Sequence, residues 1–156
     1  MDYSVLIGGK AGQGIDTTAS LLAKILKRNG FYVFSNSDYM SRIRGGHNFI
    51  QIRFSNKPIY SHNSKVDIIF ALNEETIEIH KSDLKNSGVI IADKEISIRE
   101  KEVKDKVLPL PLMETAKQLK NLKVFPTVGL GAILRYFNRY FTALCCLEQS
   151  QHFRLV

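Results

Sequence analysis

A three-layer α/β/α fold on a mainly parallel sheet is what this sequence predicts, on three observations. Apolar runs of strand length alternate with amphipathic helical stretches along the chain. The first strand enters its helix through a glycine-rich turn, GGKAGQG at residues 8–14. The runs VDIIFAL (66–72) and VIIA (89–92) are nearly continuous in apolar residues, as strands covered on both faces are.

Taken in order, residues 3–7 read as a strand and 8–14 as a loop. Ile15, Ala19, Leu22, Ala23 and Leu26 then place one apolar stripe on a helix. Asp16 or a nearby Thr is suited to cap its start, and Asn29-Gly30 supplies the left-handed residue that ends it. A strand at 31–34 completes a βαβ unit, which favours a parallel pair with a right-handed crossover. The polar stretch SNSDYMSRIRGGHN (35–48) reads as a long loop, and loops of that length in compact domains are more often functional than accidental.

Phe49, Ile50, Ile52 and Phe54 mark a third strand. Asn56-Lys57-Pro58 turns the chain toward a short return at Ile59-Tyr60. A buried strand at 66–72 leads into a helix at 73–80, and Ser87-Gly88 turns into the strand at 89–92. Residues 96–110 read as extended, 115–122 as a short helix and 128–147 as a longer one beginning with the small residues Gly129, Gly131 and Ala132. No repeat, linker or low-complexity tract interrupts this order, so residues 1–156 are expected to form a single Rossmann-like domain.

Composition narrows the function classes. At 44 % hydrophobic and 24 % charged the chain is ordinary for a globular domain. No apolar run approaches the ~18 residues that span a bilayer. The start MDYSVLIGG has no charged n-region, long h-region or cleavage site, so the expectation is a cytoplasmic protein without membrane contact. The two cysteines, Cys145 and Cys146, are neighbours, which disfavours a disulfide between them, and two thiols cannot supply a four-ligand cluster. A net charge of +7 raises the question of nucleic acid. Yet KEISIREKEVKDK (94–106) interleaves five basic with four acidic residues, as a solvated face does, and no recognition motif appears. No nucleic-acid partner is expected; the basic excess suits an acidic partner chain or an anionic small ligand.

Two constellations carry chemistry. The dinucleotide fingerprint G-x-G-x-x-G is missed in both frames: from Gly9 the middle position is Ala11, and from Gly12 the third is Thr17. Asp38, the candidate for the acidic ribose partner, falls within a loop instead of ending the second strand. Walker A fails because Ile15-Asp16 follows Gly14. A carboxylate at Asp16 would also repel phosphate at the helix start. The loop is therefore either an anion or nucleotide-fragment site or a purely structural turn. The second constellation, Ser41-Arg42-Ile43-Arg44-Gly45-Gly46-His47, gathers two guanidinium groups suited to carboxylate or phosphate, an imidazole that can titrate near neutrality, and two glycines. The bland reading is an exposed basic hairpin.

Together, GGKAGQGI, the helix and strand after it, RIRGGH and its strand resemble the gamma domain of 2-oxoacid:ferredoxin oxidoreductases of the 2-oxoglutarate, pyruvate or ketoisovalerate type. NKPIYS, VDIIFALNEETIE, SGVIIAD and the closing VGLGAILRYF extend the resemblance over nearly the whole chain. It implies a gamma component of a complex that oxidatively decarboxylates a 2-oxoacid to acyl-coenzyme A. In such a complex this chain contributes to the coenzyme A side and to subunit contacts. Thiamine diphosphate and iron–sulfur clusters would lie in partner chains: thiamine-binding alpha and beta subunits and iron–sulfur or ferredoxin components. The chain alone would be inert.

Carried over, the cofactor-binding positions are Gly8, Gly9, Gly12, Gln13 and Gly14 in the first loop, and Arg42, Arg44, Gly45, Gly46 and His47 in the second. Arg42 and Arg44 would meet coenzyme A phosphate or an acidic partner surface, and Gln13 would offer an amide to the ligand or the partner. No catalytic residue and no metal ligand is assigned to this chain. Tyr136, Phe137, Tyr140 and Phe141 on the closing helix either contact a second copy or complete the core. The alternative function is a free-standing Rossmann-like nucleotide-binding module.

Overall fold

In a computed structural model, residues 1–39, 46–98 and 100–137 are described. Six strands form one sheet in the order β2-β3-β1-β4-β5-β6. They are β1 (Asp2–Lys10), β2 (Tyr32–Tyr39), β3 (His47–Ser55), β4 (Val66–Ala71), β5 (Leu84–Asp93) and β6 (Val107–Leu110). β1, β4, β5 and β6 pair in parallel, while β3 runs antiparallel to both β1 and β2. All strands but β3 therefore point the same way, and the sheet is mainly parallel as expected.

Helix α1 (Ile15–Arg28), α4 (Leu112–Gln118) and the helical residues 125–137, α5, cover one face. They pack Leu22, Leu26, Ala116, Ile133 and Phe137 onto Val5, Ile7, Ile52, Phe54 and Phe70. Helix α2 (Glu74–His80) and the single turn α3 (Lys101–Lys104) cover the other, where Ile77 and Val103 meet Leu6, Ile69 and Ile90. Burial is what assembles these layers, since none of the short helices would persist alone.

Several local expectations are corrected. β1 and β2 run parallel but are not neighbours, because β3 returns along β2 and inserts between them, pairing with each over most of its length. That pairing also lengthens the strands: Gly8 and Gly9 lie inside β1 opposite Phe49 and Asn48, and Asp38 lies inside β2. Of the expected long loop at 35–48, residues 35–39 and 47–48 are strand, and 40–45 lie outside the described residues.

Ile59-Tyr60 forms no strand, and Tyr60 is exposed. Ser87-Gly88 is a shift of register within β5 and not a turn before it. Residues 96–110 are not continuously extended, since α3 interrupts them. The short helix begins earlier than expected, at Leu112. The buried Asp93 carboxylate at the end of β5 accepts the Met113 N–H at 2.7 Å and the Glu95 N–H at 2.9 Å, tying strand, turn and helix together.

The N-cap position of α1 is held by neither Asp16 nor a Thr. Gly14 in the left-handed conformation is its N-cap with no side-chain bond, and Thr18 Oγ1 instead donates to the Gly14 carbonyl. The far end is as expected: Asn29 is the C-cap, and Gly30 has φ 83°. Phe137 is fully buried against Tyr3 and Phe54, so at that position the core reading of the closing helix holds. Tyr140, Phe141 and both cysteines lie outside the described residues.

Candidate functional site

The carboxyl ends of β1 and β4 are adjacent, and the chain leaves them in opposite directions. From β1 it crosses one face as α1 toward β2; from β4 it crosses the other as α2 toward β5. Such a switch point opens a crevice at the strand ends, the usual ligand position in open α/β sheets. The glycine loop and the start of β3 both lie there.

The loop is drawn tight by its own glutamine. Lys10 N–H donates to Gln13 Oε1 at 2.6 Å, and Gln13 N–H donates to the Lys10 carbonyl at 3.1 Å. Gln13 Nε2 reaches the Leu72 carbonyl at 3.5 Å, bridging toward β4. The Gln13 amide thus serves the loop itself, where the sequence pointed to a ligand or partner.

The glycines divide by role. A Cβ on Gly8 would lie 2.5 Å from Thr76 Cγ2 on α2, and one on Gly9 would lie 2.9 Å from Leu72 Cβ. At these two positions helix α2 and Leu72, just past β4, approach the backbone closely enough to leave no room for a side chain. Gly12 differs. Its φ is 83°, and a Cβ there would meet nothing within 4 Å. Beside it, α1 opens on Gly14, which has no side chain to cap it, so the first-turn N–H groups that every helix leaves unpaired within itself lie at the loop. Asp16 is exposed in that turn and opposes a bound anion.

The second motif meets the first through strand register. His47 opens β3 directly opposite Lys10, the exposed last residue of β1, and Asn48 lies opposite Gly9. Gly46 just before it is buried. Arg42, Arg44 and Gly45 lie outside the described residues.

His47 is not the exposed loop imidazole the sequence pointed to. It is 1 % exposed, and its Nε2 sits 2.9 Å from His80 Nε2 on α2. Phe49 packs against both rings. Burial pushes its pKa below the ordinary histidine value, the neighbouring His80 adds to that, and Glu75 opposes it. His47 thus belongs to the packing beneath the crevice.

Lys10 and Asn73 were missed. Lys10 is placed at the edge only by the β1–β3 register, which sequence spacing does not reveal. Asn73 caps α2 by accepting from Thr76 N–H and Oγ1, while its Nδ2 is buried with no hydrogen-bond partner among the described residues. The asparagine ahead of Glu74-Glu75 was a legible helix-start signal for that position. The edge offers backbone N–H groups, an ammonium and open space over Gly12. Donors and open space of this kind are chemically suited to an anionic or amide-bearing group.

Comparison with known proteins places the sequence and the fold among known relatives. A family model described as pyruvate ferredoxin/flavodoxin oxidoreductase matches residues 4–144. A 2-oxoacid:ferredoxin oxidoreductase subunit alpha from a Sulfolobus species is 30 % identical over 133 residues, covering 85 % of this chain and 21 % of that protein. The 2-oxoglutarate synthase subunit KorC of Methanocaldococcus jannaschii is 26 % identical over 148 residues, covering 88 % of this chain and 76 % of that one.

Among solved structures, the 2-oxoglutarate:ferredoxin oxidoreductase of Magnetococcus marinus, determined with 2-oxoglutarate, coenzyme A and succinyl-CoA bound, superposes with a TM-score of 0.75. Identity there is 27 %, over 85 % of this chain and 24 % of that one. The gamma subunit of a keto/oxoacid ferredoxin oxidoreductase from Geobacter sulfurreducens shares the fold at TM-score 0.71 and 22 % identity, covering 86 % of this chain and 75 % of that one. This chain therefore spans about a fifth of the alpha subunit it matches, and about three quarters of the KorC subunit.

Proposed function

The chain belongs to the pyruvate ferredoxin/flavodoxin oxidoreductase family, and from that premise we propose that it is the gamma component of a 2-oxoacid:ferredoxin oxidoreductase. In this reading it lines the coenzyme A side of a complex that decarboxylates a 2-oxoacid and passes the acyl group to coenzyme A. The observation that carries the reading is the meeting of the two loop motifs at one switch-point crevice, joined by the Lys10–His47 register.

The residues present suit part of coenzyme A. Open space over Gly12, the N-terminus of α1 at Gly14 and the Lys10 ammonium can take a phosphate or a pantetheine amide. Arg42 and Arg44 carry further charge for the phosphates or for an acidic partner surface. The exposed Asp16 carboxylate limits how much anionic charge the helix start takes, which favours a shared site completed by a partner chain.

Thiamine diphosphate and iron–sulfur clusters belong, in this reading, to the alpha, beta and ferredoxin-type partners. Bound there, they supply the decarboxylation and electron transfer. This chain holds and orients the acyl acceptor and excludes water from it. Among the described residues, no helix is long and apolar enough to cross a membrane.

The test is co-expression with thiamine-binding and cluster-bearing partner chains. Ferredoxin reduction that depends on both a 2-oxoacid and coenzyme A, with none from this chain alone, is the expected result. A chain that assembles with no such partner overturns the reading. Within an active complex, Arg44→Ala is expected to raise the KM for coenzyme A or weaken assembly; unchanged values for both remove that loop from the site.

A further inference from the structure

Three titratable side chains run in a line beneath the crevice. Asp83 Oδ2 lies 2.9 Å from His80 Nδ1, and His80 Nε2 lies 2.9 Å from His47 Nε2. His47 and His80 are 1 % and 5 % exposed. The line crosses from the turn after α2, through α2, to the first residue of β3.

A carboxylate can only accept, so Asp83 places a proton on His80 Nδ1 and leaves His80 Nε2 as a lone pair. His47 must then donate from its own Nε2. That leaves His47 Nδ1 as a bare nitrogen, and it is indeed buried with no hydrogen-bond partner among the described residues. We propose that His47, His80 and Asp83 form a buried clasp, with one proton shared along the Nε2–Nε2 line, which fastens the start of β3 to α2 only while the imidazole pair carries no net charge.

One further proton has only His47 Nδ1 to go to, and there it becomes a buried N–H with no acceptor among the described residues. The surroundings compensate such a cation weakly. From α2 comes Glu75, from β1 the Lys10 ammonium across the register, and from β2 Asp38 opposite Phe49. Beyond Phe49 a cavity of about 290 Å³ is lined by Asp38, His62 and Asp83, among others. Lys10 opposes the added charge, and Glu75 favours it. Burial decides the sign.

The folded chain therefore binds fewer protons at His47 than the unfolded chain, whose histidines titrate near ~6.5. Stability from the clasp is complete above that pH and is lost as pH falls through it. The clasp adjoins the proposed coenzyme A edge, but its readouts are protonation and stability, so it stands or fails separately from that function.

The test uses the full chain in two measurements. Imidazole ¹H–¹⁵N correlation spectra at pH 7.5 are expected to show protons on His80 Nδ1 and on the Nε2–Nε2 line, with His47 Nδ1 bare. A protonated His47 Nδ1 at that pH overturns the proposal, as do zinc-dependent shifts of both rings, which would make the pair a metal site.

Urea unfolding from pH 7.5 to 5.5 is expected to raise the unfolding constant by up to about tenfold across the last unit. His47→Gln keeps the donor without titrating, and it is expected to remove that dependence. An unchanged pH dependence in the variant overturns the clasp. If His47→Gln does not fold, the wild-type spectra followed from pH 7.5 to 5.5 decide alone. Loss of the shared-line signal as His47 Nδ1 gains a proton supports the clasp, and loss without that gain overturns it.

Discussion

Lys10, the last residue of β1, lies directly across the antiparallel register from His47, the first residue of β3. One side chain is exposed at the crevice and the other is buried beneath it. This pairing brings two motifs distant in sequence to one edge, and it separates their roles: charge above, packing below. Lys10→Ala in the assembled complex is therefore expected to raise the KM for coenzyme A about tenfold, the worth of one lost charged contact. The melting temperature of the variant should stay at the wild-type value. An unchanged KM would remove Lys10 from the site.

Gly8→Ala tests whether the glycine loop is shaped by its neighbours. The new methyl would lie 2.5 Å from Thr76 Cγ2. Overpacking of this kind costs about 1–3 kcal/mol. Thr76→Ser in the same chain removes that methyl and should recover much of the loss, measured as a coupling in urea unfolding. Additive costs would mean that the two residues do not touch.

Gln13→Ala should loosen the loop without unfolding the sheet. It removes the acceptor of the Lys10 N–H and the bridge to the Leu72 carbonyl, a loss of about 1 kcal/mol. Hydrogen exchange at the Lys10 amide should accelerate clearly relative to the β1 interior. Equal protection in the two proteins would contradict the assignment.

Gly129 on α5 packs its backbone against the outer end of the Phe70 ring on β4 (Cζ and both Cε atoms), leaving no room for a Cβ. Gly129→Ala should cost about 3 kcal/mol or abolish folding, because the ring is fully buried and cannot yield. Phe70→Leu combined with it should restore folded yield. A stable single variant with a wild-type melting temperature would displace α5 from that position.

Asp2 and Arg53 join β1 to β3 at the end opposite the crevice through two hydrogen bonds. Hydrogen bonding and charge from Arg53 hold the Asp2 carboxyl below the usual carboxylate value, against a smaller effect of burial. The pair's contribution is present above the ordinary carboxylate pKa and is lost as pH falls through the lowered one. Asp2 is partly exposed, so the effect stays under about 1 kcal/mol. Arg53→Gln should flatten the acid limb of the urea midpoint by that amount; an identical limb would show the pair to be inert.

The helices and buried strands were legible because their signals are local. Ile15, Ala19, Leu22 and Leu26 recur at helical spacing, and all four are buried. Val66–Ala71 is apolar except at Asp67 and lies in the sheet interior. The Gly30 stop on α1 needs only the left-handed conformation that glycine adopts freely. The strand ends were not legible. SNSDY is polar, yet it extends β2 because β3 supplies hydrogen-bond partners along its whole length. Polar residues join a strand readily when one face is only partly covered.

Amino-acid order by itself determined the alternating architecture, the switch-point loop and the family resemblance, because periodicity, turn chemistry and paired motifs are written within short windows. Tertiary structure decided the insertion of β3 beside β1, the burial of His47 against His80, the use of Gln13 on its own loop and the packing reason for Gly8 and Gly9. Each of those depends on contacts between segments distant in the chain. Such contacts are set by register and close packing, which no local pattern encodes.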